Sequence, residues 1–149
     1  MEEIKVAGET AQFIVIRLGQ EQYGIDISYI ENIVRMQHIT RVPKLAPYLK
    51  GVINLRGEVI PIMCLSMKMG LPVEEETKAS RIIIIKVEQC GTLGLIVDEV
   101  KEVVTLDMTE QVEKLAFKKE DKSNFVQGVG KCAGGLISLL DLNAVTAEK

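Results

Sequence analysis

The two halves of this 149-residue chain resemble each other at a nearly constant spacing. Seven residues of one block recur without a gap when 77 is added to their numbers: Gly51, Val52, Gly57, Val59, Ile60, Ile62 and Leu65 become Gly128, Val129, Gly134, Leu136, Ile137, Leu139 and Leu142. Any two strands can share Ile and Val by chance, but glycines paired at one offset are harder to explain in that way. The pattern therefore predicts two related structural units.

Two earlier blocks keep the same order at slightly smaller offsets. Residues 14–18 match residues 83–87 at an offset of 69. The next block matches at 70: Gly24, Ile25, Ile30, Ile33 and Val34 correspond to Gly94, Leu95, Val100, Val103 and Val104. We expect one domain over residues 10–146, made of repeats over about 12–73 and 81–142, whose terminal strands are able to exchange between the units. The polar segment 74–80 is the expected connector, because it offers little apolar area to bury.

Short segments rich in Ile and Val, separated by turns that contain glycine, are typical of strands. They are Phe13 to Leu18, Tyr23 to Ile27, Gly51 to Leu55, Glu58 to Leu65, Arg81 to Val87, Leu93 to Val97, Phe125 to Val129 and Leu136 to Leu142. Only Ser28 to Arg35 favours a helix, because Ile30, Ile33 and Val34 would share one side and Ser28 would be the N-cap. Glu110 to Lys119 is ambiguous.

A unit with about five short strands closes readily into a small barrel, because closure removes exposed strand edges. We therefore predict an all-β fold with one or two short helices, built as two five-stranded β-barrels related by internal duplication.

The composition excludes several classes of function. The net charge of -3 gives no overall positive field to attract phosphate backbones. The N-terminus lacks a signal-peptide pattern, and no apolar stretch approaches the roughly 18 residues of a membrane helix. Three cysteines without C-x-x-C spacing fit a reducing compartment. These features predict a cytoplasmic protein that neither binds nucleic acid nor inserts into a membrane.

Residues that could perform chemistry are isolated from one another. The single histidine, His38, has no neighbouring Asp, His or Cys in a ligand or base-orienting pattern. Asp98 and Asp141 lie at the ends of predicted strands, where carboxylates commonly accept backbone N–H groups of the following turn. We therefore predict no catalytic residue, no cofactor and no metal ion.

Arg56 is the charged residue with the strongest claim to function. It lies between two apolar strands, in Asn54-Leu55-Arg56-Gly57-Glu58, so its side chain must project outwards at a turn. Two-residue hairpins usually prefer Asn-Gly, Asp-Gly or Gly-X, and turn geometry alone would not select Arg-Gly. A solvated turn arginine and an anchor of a protein interface both fit this position.

Several segments resemble the CheW family of chemotaxis coupling proteins. They are Tyr23-Gly24-Ile25-Asp26-Ile27, Val42-Pro43, the block from Gly51 to Ile62 and Gly94-Leu95-Ile96-Val97-Asp98. The resemblance extends from Gln12 to about Leu142, and its most specific part is Gly-Val-Ile-Asn-Leu-Arg-Gly. It implies two SH3-like five-stranded barrels and no enzymatic activity.

The resemblance also implies partners and site residues. Family members couple the cytoplasmic tip of chemoreceptors to the histidine kinase CheA, whose CheW-like regulatory domain they bind, in arrays at the membrane. Carried over to this sequence, the partner-binding residues are Ile30 and Asn32 in the predicted helix, Gly51, and Arg56 with Gly57 at the turn. The protein is expected to be a monomer on its own.

This sequence departs from the family at two positions. The family often has Glu where this chain has Asn32, so a charge pair with Arg56 would become a neutral hydrogen bond at most. Cys64 replaces an Asp that is retained in the other repeat as Asp141, which favours a turn-stabilising role for that aspartate. A small-barrel RNA-binding protein is the alternative function, although the chain offers only six aromatic residues and no Trp for stacking bases.

Overall fold

A computed structural model of the chain describes residues 9–114 and 125–147, and strands dominate them. The strands are β1 (Thr10–Leu18), β2 (Glu21–Asp26), β3 (Ile30–Arg35), β4 (Leu49–Leu55), β5 (Glu58–Cys64), β6 (Arg81–Val87), β7 (Gly91–Val97), β8 (Glu99–Asp107), β9 (Val112–Lys114), β10 (Val126–Cys132) and β11 (Gly135–Leu140). The helical elements are a 3₁₀ turn (Ile27–Tyr29), α1 (Leu65–Lys68) and α2 (Leu142–Thr146). The ambiguous segment contributes β9, and its residues 115–119 lie outside the described residues.

The strands form two sheets, and each sheet combines strands from both halves of the chain. One has the order β8-β1-β2-β11-β10-β9 and the other β3-β6-β7-β5-β4. In the second sheet, Thr40 and Val52 exchange two backbone hydrogen bonds of 2.8 and 2.9 Å, so the segment after β3 reaches β4 across the open edge. The all-β class with two small barrels is confirmed, while the boundaries of the repeats and of the connector stay a prediction.

The duplication is visible in the strand register itself. One row of paired residues crosses the second sheet through Gly51, Ile62, Gly94, Ile84 and Asn32. The corresponding row of the first sheet is Gly128, Leu139, Gly24, Val15 and Glu102. Each residue of one row is the sequence equivalent of its counterpart in the other, so a pseudo-twofold relation connects the two barrels.

The predicted helix from Ser28 to Arg35 is wrong. Asp26, and not Ser28, caps a three-residue 3₁₀ turn, since its Oδ1 accepts the backbone N–H of Ser28 at 2.9 Å. The chain then continues as β3, whose pairing with β6 shifts between Ile30 and Asn32, leaving Glu31 as the extra residue of a β-bulge.

The bulge explains why this strand has the spacing of a helix. An extra residue changes the separation of side chains on one side of the strand from two to three. Ile30 and Ile33 therefore lie opposite Ile85 and Ile83 on the same side, as they would on a helix. The predicted strands also missed β8, which has an equivalent bulge opposite the Val15–Ile16 step of β1.

Three apolar clusters hold the molecule together. A central cluster lies between the two sheets and includes Ile14, Ile16, Ile83 and Ile85, each at most 6 % exposed. Two smaller clusters fill the barrels, one around Phe13 and Val15 and the other around Ile82 and Ile84. Because β1 and β6 are buried on both sides, they are continuous apolar runs instead of alternating patterns.

Candidate functional site

Arg56 and Gly57 form the tip of the β4–β5 hairpin, which we call the hairpin tip. Leu55 pairs with Glu58, so the loop contains only these two residues. Both have positive φ, 53° for Arg56 and 82° for Gly57, as a type I′ turn requires. The side chain of Asn54 completes the turn, because its Oδ1 accepts the backbone N–H of Gly57 at 3.1 Å.

The hairpin tip holds an arginine in a backbone conformation that its side chain disfavours. A left-handed conformation costs a residue with a Cβ atom about 1–2 kcal/mol. Arg56 is nevertheless exposed, and within the described residues its guanidinium forms no hydrogen bond or ion pair that would repay this cost. Such a side chain is available to an external partner.

Gly51 lies in β4, the strand that leads to the hairpin tip, but it is buried. Close packing against a neighbouring segment requires a glycine at this position. Its φ is 138°, and a Cβ atom placed there would lie 2.1 Å from the carbonyl oxygen of Thr40. Thr40 is the residue that bridges to β4. Only glycine therefore permits the segment after β3 to approach β4 so closely.

Asn32 lies in β3, at the far end of the row of paired residues that begins at Gly51. It is half-buried, and its Oδ1 accepts the backbone N–H of Ile33 at 2.9 Å. Across the part of the chain that the structure describes, no hydrogen bond joins Asn32 to Arg56. β3 runs antiparallel to β6, so in the direction of the hairpin tip the residue of β3 that comes after Asn32 on the ladder is Ile30.

The second repeat shows what a glutamate does at the position of Asn32. Its equivalent there is Glu102, whose Oε2 lies 4.0 Å from where a Cβ atom of Gly134 would be. Gly134 is the equivalent of Gly57, so the carboxylate of Glu102 reaches the tip of its own hairpin. Ala133 stands there in place of Arg56. Each repeat thus carries one half of a possible ion pair.

Aliphatic residues of the two edge strands β3 and β8 border the central cluster. Ile30 and Ile33 of β3 and Val100 of β8 are all half-buried and pack against that cluster. Val100 is the repeat equivalent of Ile30, and neither Val100 nor Ile33 is among the site residues predicted from the sequence. We call these three residues the apolar strip.

The two aspartates at strand ends have structural partners. Oδ2 of Asp98 accepts the backbone N–H of Gly19 at 2.7 Å, which ties the β1–β2 turn to the end of β7. Oδ1 of Asp141 accepts the N–H groups of Asn143 and Ala144 at 3.1 and 3.3 Å and so caps α2. The turn-stabilising role predicted for Asp141 is confirmed. Cys64, its equivalent, is buried and makes no capping bond to α1.

Shifted carboxyl groups on the surface are also explained by contacts within the chain. The side-chain hydrogen bond from Arg17, 2.9 Å long, holds the pKa of Glu99 below its usual range. Hydrogen bonds from the hydroxyl and the backbone of Thr109 lower the pKa of Asp107 in the same way. Within residues 9–114 and 125–147, no three His, Cys, Asp or Glu residues come close enough together to hold a metal ion.

The whole chain was compared with known families and structures. The CheW-like domain family matches residues 12–149. The chain is 34% identical to the Bacillus subtilis chemotaxis protein CheW, over 90% of this chain and 85% of that protein. It is 31% identical to the Helicobacter pylori chemotaxis protein CheW, over 92% of this chain and 82% of that protein.

A solved structure has the same architecture. The crystal structure of the scaffolding protein TtCheW from Thermoanaerobacter tengcongensis superposes with a TM-score of 0.84 and 31% sequence identity. The superposition covers 93% of this chain and 94% of that one. Among the described residues, no helix is both long and apolar enough to cross a membrane.

Proposed function

The chain belongs to the CheW-like domain family, and on this basis we propose that it is a non-enzymatic chemotaxis adaptor that couples chemoreceptors to the histidine kinase CheA. The family match over residues 12–149 is the observation that carries this proposal. The protein would work in the cytoplasm, recruited to receptor arrays. The family match gives no support to the RNA-binding alternative.

The apolar strip is the proposed docking site for the receptor. Chemoreceptor tips are helical hairpins, and an amphipathic helix binds by placing its apolar side chains into a groove. Ile30, Ile33 and Val100 offer half-buried aliphatic surface that rests on the fully buried central cluster. A strip supported in this way keeps its shape when a helix packs on it, and this limits the entropy lost on binding.

Arg56 is the proposed polar anchor of the complex. Its guanidinium forms no hydrogen bond or ion pair within the described residues, and it projects into solvent from a two-residue turn. Arginine is enriched among the residues that dominate interface energies. Gly57 would act by permitting the turn, Asn32 through its half-buried position opposite Ile84, and Gly51 by keeping the edge of the sheet closed.

Two repeats allow two partners to be held at once. Each repeat presents its own hairpin, with Arg56 at one tip and Ala133 at the other, so the two surfaces differ in charge. We assign the Arg56 side to the receptor and an independent surface to the CheW-like regulatory domain of CheA. Simultaneous binding raises the effective concentration of one partner near the other, so each contact need only be modest.

Replacing Arg56 by alanine tests the proposal. We expect Arg56→Ala to weaken binding of a receptor cytoplasmic fragment about tenfold, as loss of an interface anchor does. Co-sedimentation with the receptor fragment and CheA, together with kinase activation, measures the effect. Circular dichroism should be unchanged, because the side chain is exposed and forms no hydrogen bond or ion pair in the described part of the chain.

Lys131→Ala is the matched control. Lys131 is exposed on the hairpin of the other repeat, so the same loss of charge is made at the equivalent end of β10. Receptor binding should be unaffected by Lys131→Ala. Equal losses for both variants would point to general electrostatic attraction, and no loss for Arg56→Ala would refute the proposed anchor.

A further inference from the structure

Two arginines face each other at the end of the β3–β6 ladder. Arg35 is the last residue of β3, Arg81 is the first of β6, and they are register partners. Side chains opposite each other in an antiparallel pair start about 5 Å apart, and like charges in this arrangement are destabilising. The protein therefore carries an unfavourable pair here that needs a physical explanation.

Neither arginine is neutralised within the described chain. No carboxylate of residues 9–114 or 125–147 forms an ion pair with either guanidinium. Arg81 uses Nη1 to donate to the carbonyl oxygens of Lys78 and Ser80, both at 2.8 Å. These bonds orient the guanidinium and leave its Nε–Nη2 edge without a hydrogen-bond partner in the described residues. That edge is suited to binding an oxyanion with two parallel hydrogen bonds.

The turn that orients Arg81 is itself well held. Ser80 is only 4 % exposed, and its Oγ accepts the backbone N–H of Thr77 at 2.9 Å. Oγ1 of Thr77 accepts the backbone N–H of Ala79 at 3.1 Å. The carbonyl groups that fix Arg81 are thus in place before any ligand arrives.

The arginine pair opens onto a cleft of about 390 Å³. Arg35, Arg81 and Lys78 line it together with a single acidic residue, Glu76. The charged residues that line the cleft are therefore mainly positive, whereas the whole chain has a net charge of -3. The volume is at the lower end of the range for small-molecule sites and exceeds what one phosphate ion needs.

We propose that this cleft binds the phosphate group of a small phosphorylated molecule. A doubly charged oxyanion between Arg35 and Arg81 would turn their mutual repulsion into two attractive contacts. The Nε–Nη2 edge of Arg81 supplies a pre-oriented fork, Arg35 a second guanidinium, and Lys78 an exposed ammonium group. This site is distinct from the hairpin tip and the apolar strip, so it does not depend on the proposed coupling function.

Calorimetric titration of the full chain with pyrophosphate, at constant ionic strength, tests the site. We expect Arg35→Gln to weaken binding about tenfold, because one charge-assisted contact to the anion is lost. Glu76→Gln should strengthen binding severalfold, because it removes the one negative charge of the lining. Arg41→Gln is the control, since Arg41 is exposed, carries the same charge and lines a different cleft.

The variant at Arg35 should fold normally, because this exposed side chain makes no hydrogen bond in the described residues. In buffer without multivalent anions its melting temperature should equal or exceed that of the parent. No pyrophosphate binding, or equal weakening by Arg35→Gln and Arg41→Gln, would overturn the proposal. ADP titrated in parallel separates the two sources of the phosphate: tighter binding than pyrophosphate supports a nucleotide-like ligand, and equal binding supports recognition of the phosphate alone.

Discussion

Replacing Gly51 by alanine should destabilise the fold far more than the same change at Gly57. Both glycines have positive φ, so each alanine suffers backbone strain of about 1–3 kcal/mol. At Gly57 no other atom lies within 4 Å of the new Cβ atom. At Gly51 the Cβ atom would lie 2.1 Å from the backbone oxygen of Thr40, which cannot move away without giving up its bridge to Val52.

The magnitude follows from the contacts that must break. The bridge contains two backbone hydrogen bonds, each contributing about 1 kcal/mol. Gly51→Ala should therefore lower the free energy of unfolding by about 2 kcal/mol more than Gly57→Ala does. The effect of alanine on the unfolded chain is the same in both variants and cancels in the difference.

Urea denaturation followed by circular dichroism measures this difference. With a slope of about 2 kcal/mol per molar urea, the two midpoints should differ by about 1 M. Midpoints within about 0.2 M of each other would refute the reasoning, because the close approach of Thr40 would then carry no energetic weight. The result also matters for function, since a loss of partner binding in Gly51→Ala would follow from the opened sheet edge.

Two further predictions concern Tyr23 and Asn32. Burial, followed by the hydrogen bond to Glu21, raises the pKa of Tyr23 from 10.0 to about 12. Because the unfolded chain loses this proton at a lower pH than the folded chain, the free energy of unfolding should fall as the pH rises from 10 to 12. Denaturation at pH 9 and 11 should show a smaller fall for Tyr23→Phe than for the parent, and an equal fall would contradict the assignment. Asn32→Glu should place a carboxylate near Arg56, as Glu102 reaches its own hairpin, and stabilise the fold by about 0.5 kcal/mol at low salt. Combination with Arg56→Ala, or high salt, should abolish this gain, and a gain that persists in the double variant would exclude the ion pair.

The fold class could be predicted because the internal repeat indicates two similar β units, even where the assignment of a single strand is wrong. Paired glycines at an offset of 77 recur in the structure as equivalent hairpins, with the same register shift before Gly51 and before Gly128. The helix predicted at Ser28 to Arg35 failed because a bulge gives a strand the three-residue spacing of a helix. The same three-residue spacing recurs at Val100 and Val103 of β8, which has an equivalent bulge, so the spacing alone did not distinguish a helix from a bulged strand.

The candidate site could be predicted only where local geometry determines it. The exposed turn at Arg56 follows from two apolar strands separated by two residues. The burial of Gly51 against Thr40 depends on a contact between segments that are not adjacent in the sequence, and no local pattern encodes it. The pairing of Asn32 with Ile84 depends on the bulge at Glu31, which shifts every later residue of β3 to the opposite side.

Each sheet contains strands from both halves of the chain, so neither half can complete its sheet alone. β1 and β2 complete the sheet that the second half builds, and β6 and β7 complete the sheet of the first half. A half-length chain could pair these strands only with a second copy, as in a domain-swapped dimer. Residues 71–80, which contain no helix or strand, join the two halves in one chain, so this exchange of strands needs no second molecule. The two repeats of one chain are thus arranged as the two subunits of such a dimer would be. Because the repeats differ in sequence, their hairpin tips can differ as well, with arginine at one tip and alanine at the other.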